Sequence, residues 1–233
     1  MRFQVSQASM LFRTYSLSRG FCTREVRHLP NDALSSETEK RCRETLSKIP
    51  LPAAASAGVL VTLCSTDGVP SFLYTLRSPN LRGRHKGDVS FPGGKSDASD
   101  KDIIHTALRE AQEELGVTLM PGVVWGAMKP ITDRTGMVIV PVLANLGPLE
   151  TLALNPNPEE VECLLTLPFS HACTDSSRGY TCFRQRGRYA YTLPVFRLPG
   201  YKVWGLTAMM TDSALSLLLP NLYSSIAHSS RTH

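Results

Sequence analysis

The stretch between Gly93 and Gly116 constrains this chain more than any other, because glycines frame a single helical pattern. Gly93-Gly94 permits backbone conformations closed to other residues and lets the backbone come close to a ligand. Gly116 is a natural end for a helix. We therefore predict a helix over about residues 102–115. Its apolar residues recur on one face, which predicts a core-facing stripe of Ile104, Leu108, Ala111 and Leu115.

The other face of this predicted helix carries three carboxylates, Glu110, Glu113 and Glu114, spaced three and four residues apart. Like charges at this spacing destabilise a helix by about 0.2–0.5 kcal/mol per pair, and a divalent cation reverses the sign. A set of oxygen ligands suits Mg²⁺ or Mn²⁺ rather than zinc. An isolated motif of this kind is more often a solvated acidic face, and only the glycines around it favour a metal site.

Residues 94–117 resemble the Nudix box, Gly-x5-Glu-x7-Arg-Glu-U-x-Glu-Glu-x-Gly-U, in which U is aliphatic. Residues 109–117 fit its second half in register. The first half departs from the pattern, because Asp100 stands at the glutamate position and eight residues, not seven, separate it from Arg109. These departures make a coordinating role for Asp100 doubtful. A longer box of this kind is similar to that of the coenzyme A diphosphatase subfamily.

Three ordered elements carry the resemblance to that subfamily over about residues 57–215. Residues 73–78 and 81–95 resemble its second signature, and residues 203–208, Val-Trp-Gly-Leu-Thr-Ala, resemble its closing element. Together with an arginine-rich leader, they resemble a mitochondrial member of the subfamily. The resemblance implies an α/β (α+β) architecture, the Nudix fold, with a mixed β-sheet sandwiched between helices.

The resemblance also implies metal-dependent hydrolysis of the diphosphate bond of coenzyme A and its thioesters, giving 3′,5′-ADP and (acyl-)4′-phosphopantetheine. Glu110 and Glu114 would bind Mg²⁺ or Mn²⁺, and Glu113 would be a third ligand or the base that deprotonates the attacking water. Arg109 would orient a glutamate rather than touch substrate. The residues expected to bind the small-molecule substrate are Arg82, Arg84, His85, Gly93 and Gly94.

Two further groups of charges have open interpretations. Arg77, Arg82, Arg84, His85 and Lys86 form a basic run that would receive the 3′-phosphate of coenzyme A, or would be a solvated loop. A lone histidine in such a loop is most often a hydrogen-bonded scaffold. After the box, Glu159 or Glu160 supplies an additional carboxylate or caps a helix.

The N-terminus has the composition of a mitochondrial transit peptide. Residues 1–31 contain five arginines and one acidic residue, so they carry +4 of the net charge of +5. A basic tail without a targeting role is the alternative. Because only about +1 is left for the rest of the chain, a broad basic surface for nucleic acid is not expected.

Residues 32–55 are expected to form a peripheral helix capped by Ser35 or Ser36 and a linker, residues 56–220 the hydrolase domain, and residues 221–233 a tail. Strands are predicted at 58–64 and 71–76, with a hairpin turn at Asp67-Gly68, and at 89–91, 122–128, 137–143 and 188–196. A terminal helix is predicted at 207–218. The longest nearly apolar run, residues 52–64, is too short to span a bilayer. The cysteines form no Cys-x-x-Cys pair, which favours reduced thiols.

Two other functions are consistent with the sequence. One is a broader Nudix hydrolase that acts on nucleoside triphosphates, ADP-ribose or capped RNA. The other is a non-catalytic module that binds a nucleotide, but such modules would be expected to lack glutamates that this chain retains. The sequence leaves the oligomeric state open.

Overall fold

The computed structural model describes residues 32–81, 85–185 and 188–225. Runs of strands are separated by single helices along the described chain, which is an α+β order. In chain order they are α1 (Ser36–Leu46), β1 (Ala57–Thr66), β2 (Val69–Arg77), β3 (Val89–Ser90), β4 (Gly93–Lys95), α2 (Ile103–Leu115), β5 (Val124–Ala127), β6 (Ile131–Thr132), β7 (Val138–Pro148), β8 (Val161–Pro168), α3 (Phe169–Ala172), β9 (Arg178–Gln185), β10 (Arg188–Leu198), β11 (Tyr201–Val203) and α4 (Gly205–Leu218).

The main sheet is mixed, as predicted. Its strands run in the order β3-β2-β1-β7-β5, and β4, β6 and β8 pair with β1, β7 and β2 respectively. The central strand β1 is parallel to β7 and antiparallel to β2. β1 and β2 are joined by a tight turn in which Asp67 and Gly68 have φ values of 50° and 75°. Positive φ at both positions is the type I′ geometry that Asp-Gly favours, so the predicted hairpin is confirmed.

Helices cover both faces of this sheet, which confirms the predicted sandwich. On one face, α2 packs Ala107, Ala111 and Leu115 against a cluster that includes Leu60 and Val142. On the other face, α1 and α4 pack against a second cluster whose sheet residues include Val61, Leu63, Phe72, Tyr74 and Leu165. The sheet is therefore buried on both sides, and its strands contain long apolar runs rather than a simple alternation.

The helix expected to be peripheral, α1, contributes to the core. The Ser35 side chain accepts a hydrogen bond from the Thr38 amide, as an N-cap does. Cys42 is fully buried, and Arg41 donates to the carbonyls of Leu217 and Leu218 at the end of α4. α1 ends at Leu46, within the range of 32–55 expected for the helix and its linker. The helix therefore ties the N-terminal part of the described chain to its last helix.

A second, smaller sheet contains β11, β10 and β9 in that order. The predicted strand at 188–196 is confirmed as β10, which extends to Leu198, and the terminal helix begins earlier than expected, at Gly205. The beginning of the expected tail is also packed, because Tyr223 is 5% exposed and donates to Asp212 on α4 at 2.6 Å. Within the described ranges, no helix is long and apolar enough to cross a membrane.

Candidate active site

The site is built on α2, whose ends are fixed by the predicted residues. The Asp102 side chain accepts a hydrogen bond from the His105 amide at the N-terminus. Gly116 closes the helix in the left-handed conformation, with φ of 62°. A Cβ at Gly116 would also overlap the Asn155 carbonyl. Because both ends are anchored, the position of each glutamate on this helix is fixed relative to the sheet.

Glu114 lies beneath the surface, where its carboxylate reaches β4 and β2. It is 3% exposed and accepts hydrogen bonds from the Gly93 amide at 3.1 Å and the Thr75 hydroxyl at 3.3 Å. Burial raises its pKa to about 7, although the Gly93 hydrogen bond and the charge of Arg77 act in the opposite direction. Gly93, expected to contact substrate, thus holds a carboxylate in this structure.

Glu110 lies against the glycine loop. A Cβ at Gly94 would overlap the Glu110 carboxyl group, so the absence of a side chain at Gly94 makes room for that carboxylate. Burial is the main cause that raises the pKa of Glu110, and Arg109, whose Nη1 donates to it at 3.0 Å, opposes the shift. The second glycine of the loop is therefore explained by close packing.

Glu113 has a different environment. Its side chain is 57% exposed, and it pairs with Arg109 at 3.3 Å, one turn earlier on the helix. The three glutamates are thus graded from solvent to interior: Glu113 is open, Glu110 is half-buried and Glu114 is buried. A group that accepts a proton from water needs access to solvent, and Glu113 has it.

Arg109 is held by acceptors on all sides. Asp100 accepts from Nε and Nη2, each at 3.0 Å, and the Lys95 carbonyl accepts from Nη2 at 3.1 Å. Nη1 donates to Glu110 and Glu113. Arg109 thus contacts two of the three glutamates of α2, and its role in orienting a glutamate stays a prediction.

Both carboxylate oxygens of Asp100 accept hydrogen bonds within this network. Besides Arg109, it accepts hydrogen bonds from Thr106, His105 and the Asp97 amide, and its side chain is 3% exposed. The Arg109 guanidinium holds the pKa of this carboxyl well below its usual range. With its oxygens occupied in this way, Asp100 positions the arginine, and the doubt about a coordinating role has a structural reason.

A fourth carboxylate, Glu160, reaches the same region from the turn before β8. Its charge adds to burial in raising the pKa of both Glu110 and Glu114. The alternative that Glu159 or Glu160 caps a helix is wrong, because β8 begins at Val161 and no helix follows the turn. Sequence spacing alone did not connect Glu160 with α2, which lies more than 40 residues earlier.

Only part of the expected substrate-binding loop lies within the described residues. Arg82 and Arg84 lie outside the described residues. The His85 ring, 76% exposed, lies 3.1 Å from the Asp88 carboxylate, which agrees with a hydrogen-bonded scaffold role. Arg77, the first member of the basic run, is not in the loop but at the end of β2, where its charge reaches Glu114.

The residues fit a hard divalent cation by their chemistry, since the four carboxylates offer only oxygen ligands. Among the residues that the structure describes, no three acidic, histidine or cysteine side chains converge on a common point as they stand. Glu110 and Glu113 are directed to Arg109, and Glu114 to Gly93 and Thr75. Binding of an ion would therefore require these side chains to exchange present partners for the metal.

Comparisons with known proteins all point to one family. The model of the NUDIX domain matches residues 54–172. The mitochondrial coenzyme A diphosphatases NUDT8 of Mus musculus and Homo sapiens are each 51% identical over 195 residues, which cover 82% of this chain and 93% and 83% of those proteins. A MutT/nudix family protein from Enterococcus faecalis has a similar fold, with a TM-score of 0.50 and 14% identity over 86% of this chain and 76% of that protein.

Proposed function

Because this chain belongs to the Nudix hydrolase family, we propose that it hydrolyses the diphosphate bond of coenzyme A and of acyl-coenzyme A. The products would be 3′,5′-ADP and 4′-phosphopantetheine or its acyl derivative. One observation carries this proposal, namely the 51% identity with mouse and human proteins whose names state that activity, over 82% of this chain. The carboxylates of α2 support it, because they provide the negative charge that a metal-assisted attack on a diphosphate needs.

The proposed cofactor is Mg²⁺ or Mn²⁺, bound by Glu110 and Glu114, with Glu113 as a third ligand or as the base. When bound, such an ion neutralises diphosphate oxygens and lowers the pKa of the attacking water. Burial of Glu114 and Glu110 supports their assignment as metal ligands. Burial raises the pKa of both carboxyl groups, so a neighbouring cation would stabilise their charged forms more than it would stabilise an exposed carboxylate.

The other residues of the chain would position these carboxylates. The Gly93 amide and the Thr75 hydroxyl hold Glu114, and Arg109 restrains Glu110. Glu113, which is exposed, would take the proton from the attacking water or complete the metal site. Arg109 contributes to catalysis through Glu110 and Glu113 rather than through substrate.

Substrate selection would depend on the loop that contains Arg82, Arg84 and His85, with Gly93 and Gly94 leaving space beside the carboxylates. If the loop arginines bind the 3′-phosphate, Arg82→Ala and Arg84→Ala will lower activity on coenzyme A and leave activity on dephospho-coenzyme A unchanged. An equal loss on both substrates would remove the 3′-phosphate role.

The proposed location is the mitochondrion, with the matrix as the compartment, and it rests on the composition of residues 1–31 and the mitochondrial names of the relatives. Residues 1–31 lie outside the described part of the chain. A reporter fused to residues 1–35 should enter mitochondria in an import assay. A fusion that stays in the cytosol would contradict the proposal.

The decisive experiment identifies the products that the protein without residues 1–31 forms from coenzyme A with Mg²⁺ or Mn²⁺. Equal amounts of 3′,5′-ADP and 4′-phosphopantetheine are expected. A parallel panel of nucleoside triphosphates, ADP-ribose and capped RNA distinguishes a broader Nudix hydrolase. Turnover of a panel compound without turnover of coenzyme A would refute the proposal, and no turnover of any compound would favour a binding module.

A further inference from the structure

Arg77 is a second arginine beside the carboxylates, and it is held quite differently from Arg109. It lies at the end of β2, half-buried, and its Nε is enclosed by the protein. Within the described ranges, that Nε has no hydrogen-bond partner, and the guanidinium forms no ion pair. Burying a donor of this kind without an acceptor is costly, so an anion that draws this guanidinium toward it would remove a cost that the described residues leave in place.

The fold directs this side chain to the site. Side chains two residues apart on a strand share a face, so Arg77 lies on the same face as Thr75, which donates to Glu114. The pairing of β2 with β8 shifts between Leu76 and Arg77, where one extra residue of β8 forms a bulge. Because the extra residue lies in β8, β2 keeps its alternation and Arg77 keeps the face that it shares with Thr75.

The backbone around Arg77 is clamped by both neighbouring segments. Its amide donates to the Asp88 carbonyl at 3.0 Å, and its carbonyl accepts from the Gly87 amide at 3.0 Å. The next amide, that of Ser78, donates to the Glu160 carbonyl at 2.8 Å. Arg77 is thus fixed between the end of the basic loop and the turn that carries the fourth carboxylate.

Glu114 does not pair with Arg77. The charge of Arg77 acts on Glu114, yet the hydrogen bonds of Glu114 come from Gly93 and Thr75. Among the described residues no carboxylate pairs with the terminal nitrogens of this guanidinium, which leaves them for the oxygens of a diphosphate held between bound cations and an arginine.

We propose that Arg77 binds the scissile diphosphate itself, as the positive side of a cleft whose other side is the glutamate cluster of α2 and Glu160. The inference rests on the proposed function and makes it more specific, because it separates Arg77 from the 3′-phosphate role given to the basic run. The ligand class is a diphosphate, whatever groups are attached to it.

Calorimetry with Mg²⁺ and imidodiphosphate, an analogue of inorganic diphosphate with a nitrogen bridge, tests this without requiring catalysis. Arg77→Ala should weaken its binding at least about tenfold, the size expected for a lost charge-assisted hydrogen bond. Arg77→Lys should keep part of the affinity. Lys40→Ala, which removes one positive charge from an exposed position of α1 on the opposite face of the sheet, should change it by less than about twofold.

Kinetics then separate the alternatives. Arg77→Ala should lower kcat/KM by the same factor on coenzyme A and dephospho-coenzyme A, whereas a loss confined to coenzyme A would assign Arg77 to the 3′-phosphate. Mn²⁺ affinity, measured by electron paramagnetic resonance, should change less than imidodiphosphate affinity. If saturating Mn²⁺ restored full activity to Arg77→Ala, the residue would act only through Glu114 and the proposal would be overturned.

The outcome for Arg77 is independent of the outcome for coenzyme A. Wild-type protein that binds imidodiphosphate through Arg77 but does not cleave coenzyme A would retain this inference and refute the proposed substrate. Wild-type affinity for imidodiphosphate in folded Arg77→Ala and Arg77→Lys, checked by melting temperature, would refute the inference even if coenzyme A were cleaved. Absence of imidodiphosphate binding by the wild-type protein would refute it as well.

Discussion

Arg109 and Arg77 both lie beside the glutamates of α2, and their environments are opposite. Arg109 pairs with Glu110 and Glu113, and Arg77 acts by its charge on Glu114. Arg109 has every N–H group directed at an oxygen, from Asp100, Glu110, Glu113 or the Lys95 carbonyl. Arg77 has an enclosed Nε and no partner for it in the described chain. The hydrogen bonds of Arg109 are supplied by the folded chain itself, whereas Arg77 has a donor without an acceptor in the described chain, which leaves its side of the site open for a ligand. We call the part of the site around Arg109 the closed side and the part around Arg77 the open side.

The largest effect is expected at Glu114, which lies on α2 but reaches the open side through Thr75. Glu114→Gln keeps an oxygen for the Gly93 amide and removes the negative charge. Because a direct metal ligand should matter at least as much as the groups that orient ligands, kcat on coenzyme A should fall by about 100-fold or more. Intact turnover in a metal titration would show that the glutamates of α2 do not bind the ion.

The two arginines should differ sharply in their contribution to folding. Arg109→Met leaves the buried Asp100 carboxylate without its main partner, so the free energy of unfolding should fall by about 2–3 kcal/mol. Arg77→Met removes a donor that has no acceptor among the described residues, so the change should be less than about 1 kcal/mol. Urea denaturation of both variants without metal measures this. Equal losses would abolish the distinction between the closed and open sides.

A methyl group at Gly94 should disturb the closed side locally. Gly94→Ala would place a Cβ on the Glu110 carboxyl group, so Glu110 must move, and we expect kcat/KM to fall about tenfold, as for displaced orienting groups. The matched control is Gly122→Ala, since a Cβ at Gly122 meets nothing within 4 Å. Equal activity of the two variants would mean that the position of Glu110 is unimportant.

The last effect concerns pH. Burial raises the pKa of Glu114 to about 7 in the folded protein, and the charges of Arg77 and Glu160 act on it. The glutamate side chain of an unfolded chain has a pKa of about 4.3. Between these two pKa values the folded state binds more protons than the unfolded state, so the free energy of unfolding without metal should fall by about 2–3 kcal/mol as the pH rises from 5 to 7.5.

Glu114→Gln isolates this contribution. Its unfolding free energy, measured with a chelator at several pH values between 5 and 7.5, should show a smaller decline than that of the wild-type protein. Identical pH dependence in the two proteins would show that Glu114 does not titrate in this range.

The parts of the molecule that were predictable from the sequence are those with local physical causes. The α2 helix follows from a 3.6-residue pattern and the cap at Gly116, and the hairpin from Asp67-Gly68. β8 and β9 were not predicted, because a strand buried on both faces or lying in a small sheet lacks a clear alternation.

The active site also has parts with a local cause in the sequence and parts without one. The three glutamates of α2 share one face through helical spacing, which a sequence shows directly. The approach of Glu160 and the role of Asp100 depend on how the turn before β8 and the loop before α2 pack on that helix. The environment of Arg77 depends on a bulge in strand pairing, and no local pattern in the sequence marks it.

Helices α1 and α4 cover one face of the main sheet, and this affects the choice of a fragment for expression. The family match spans residues 54–172, and a fragment with those limits would lack both helices. It would expose a sheet face that includes Val61, Leu63, Phe72 and Tyr74, which is a contiguous apolar patch prone to aggregation. The unit that folds cooperatively is thus longer at both ends than the unit by which the family is recognised.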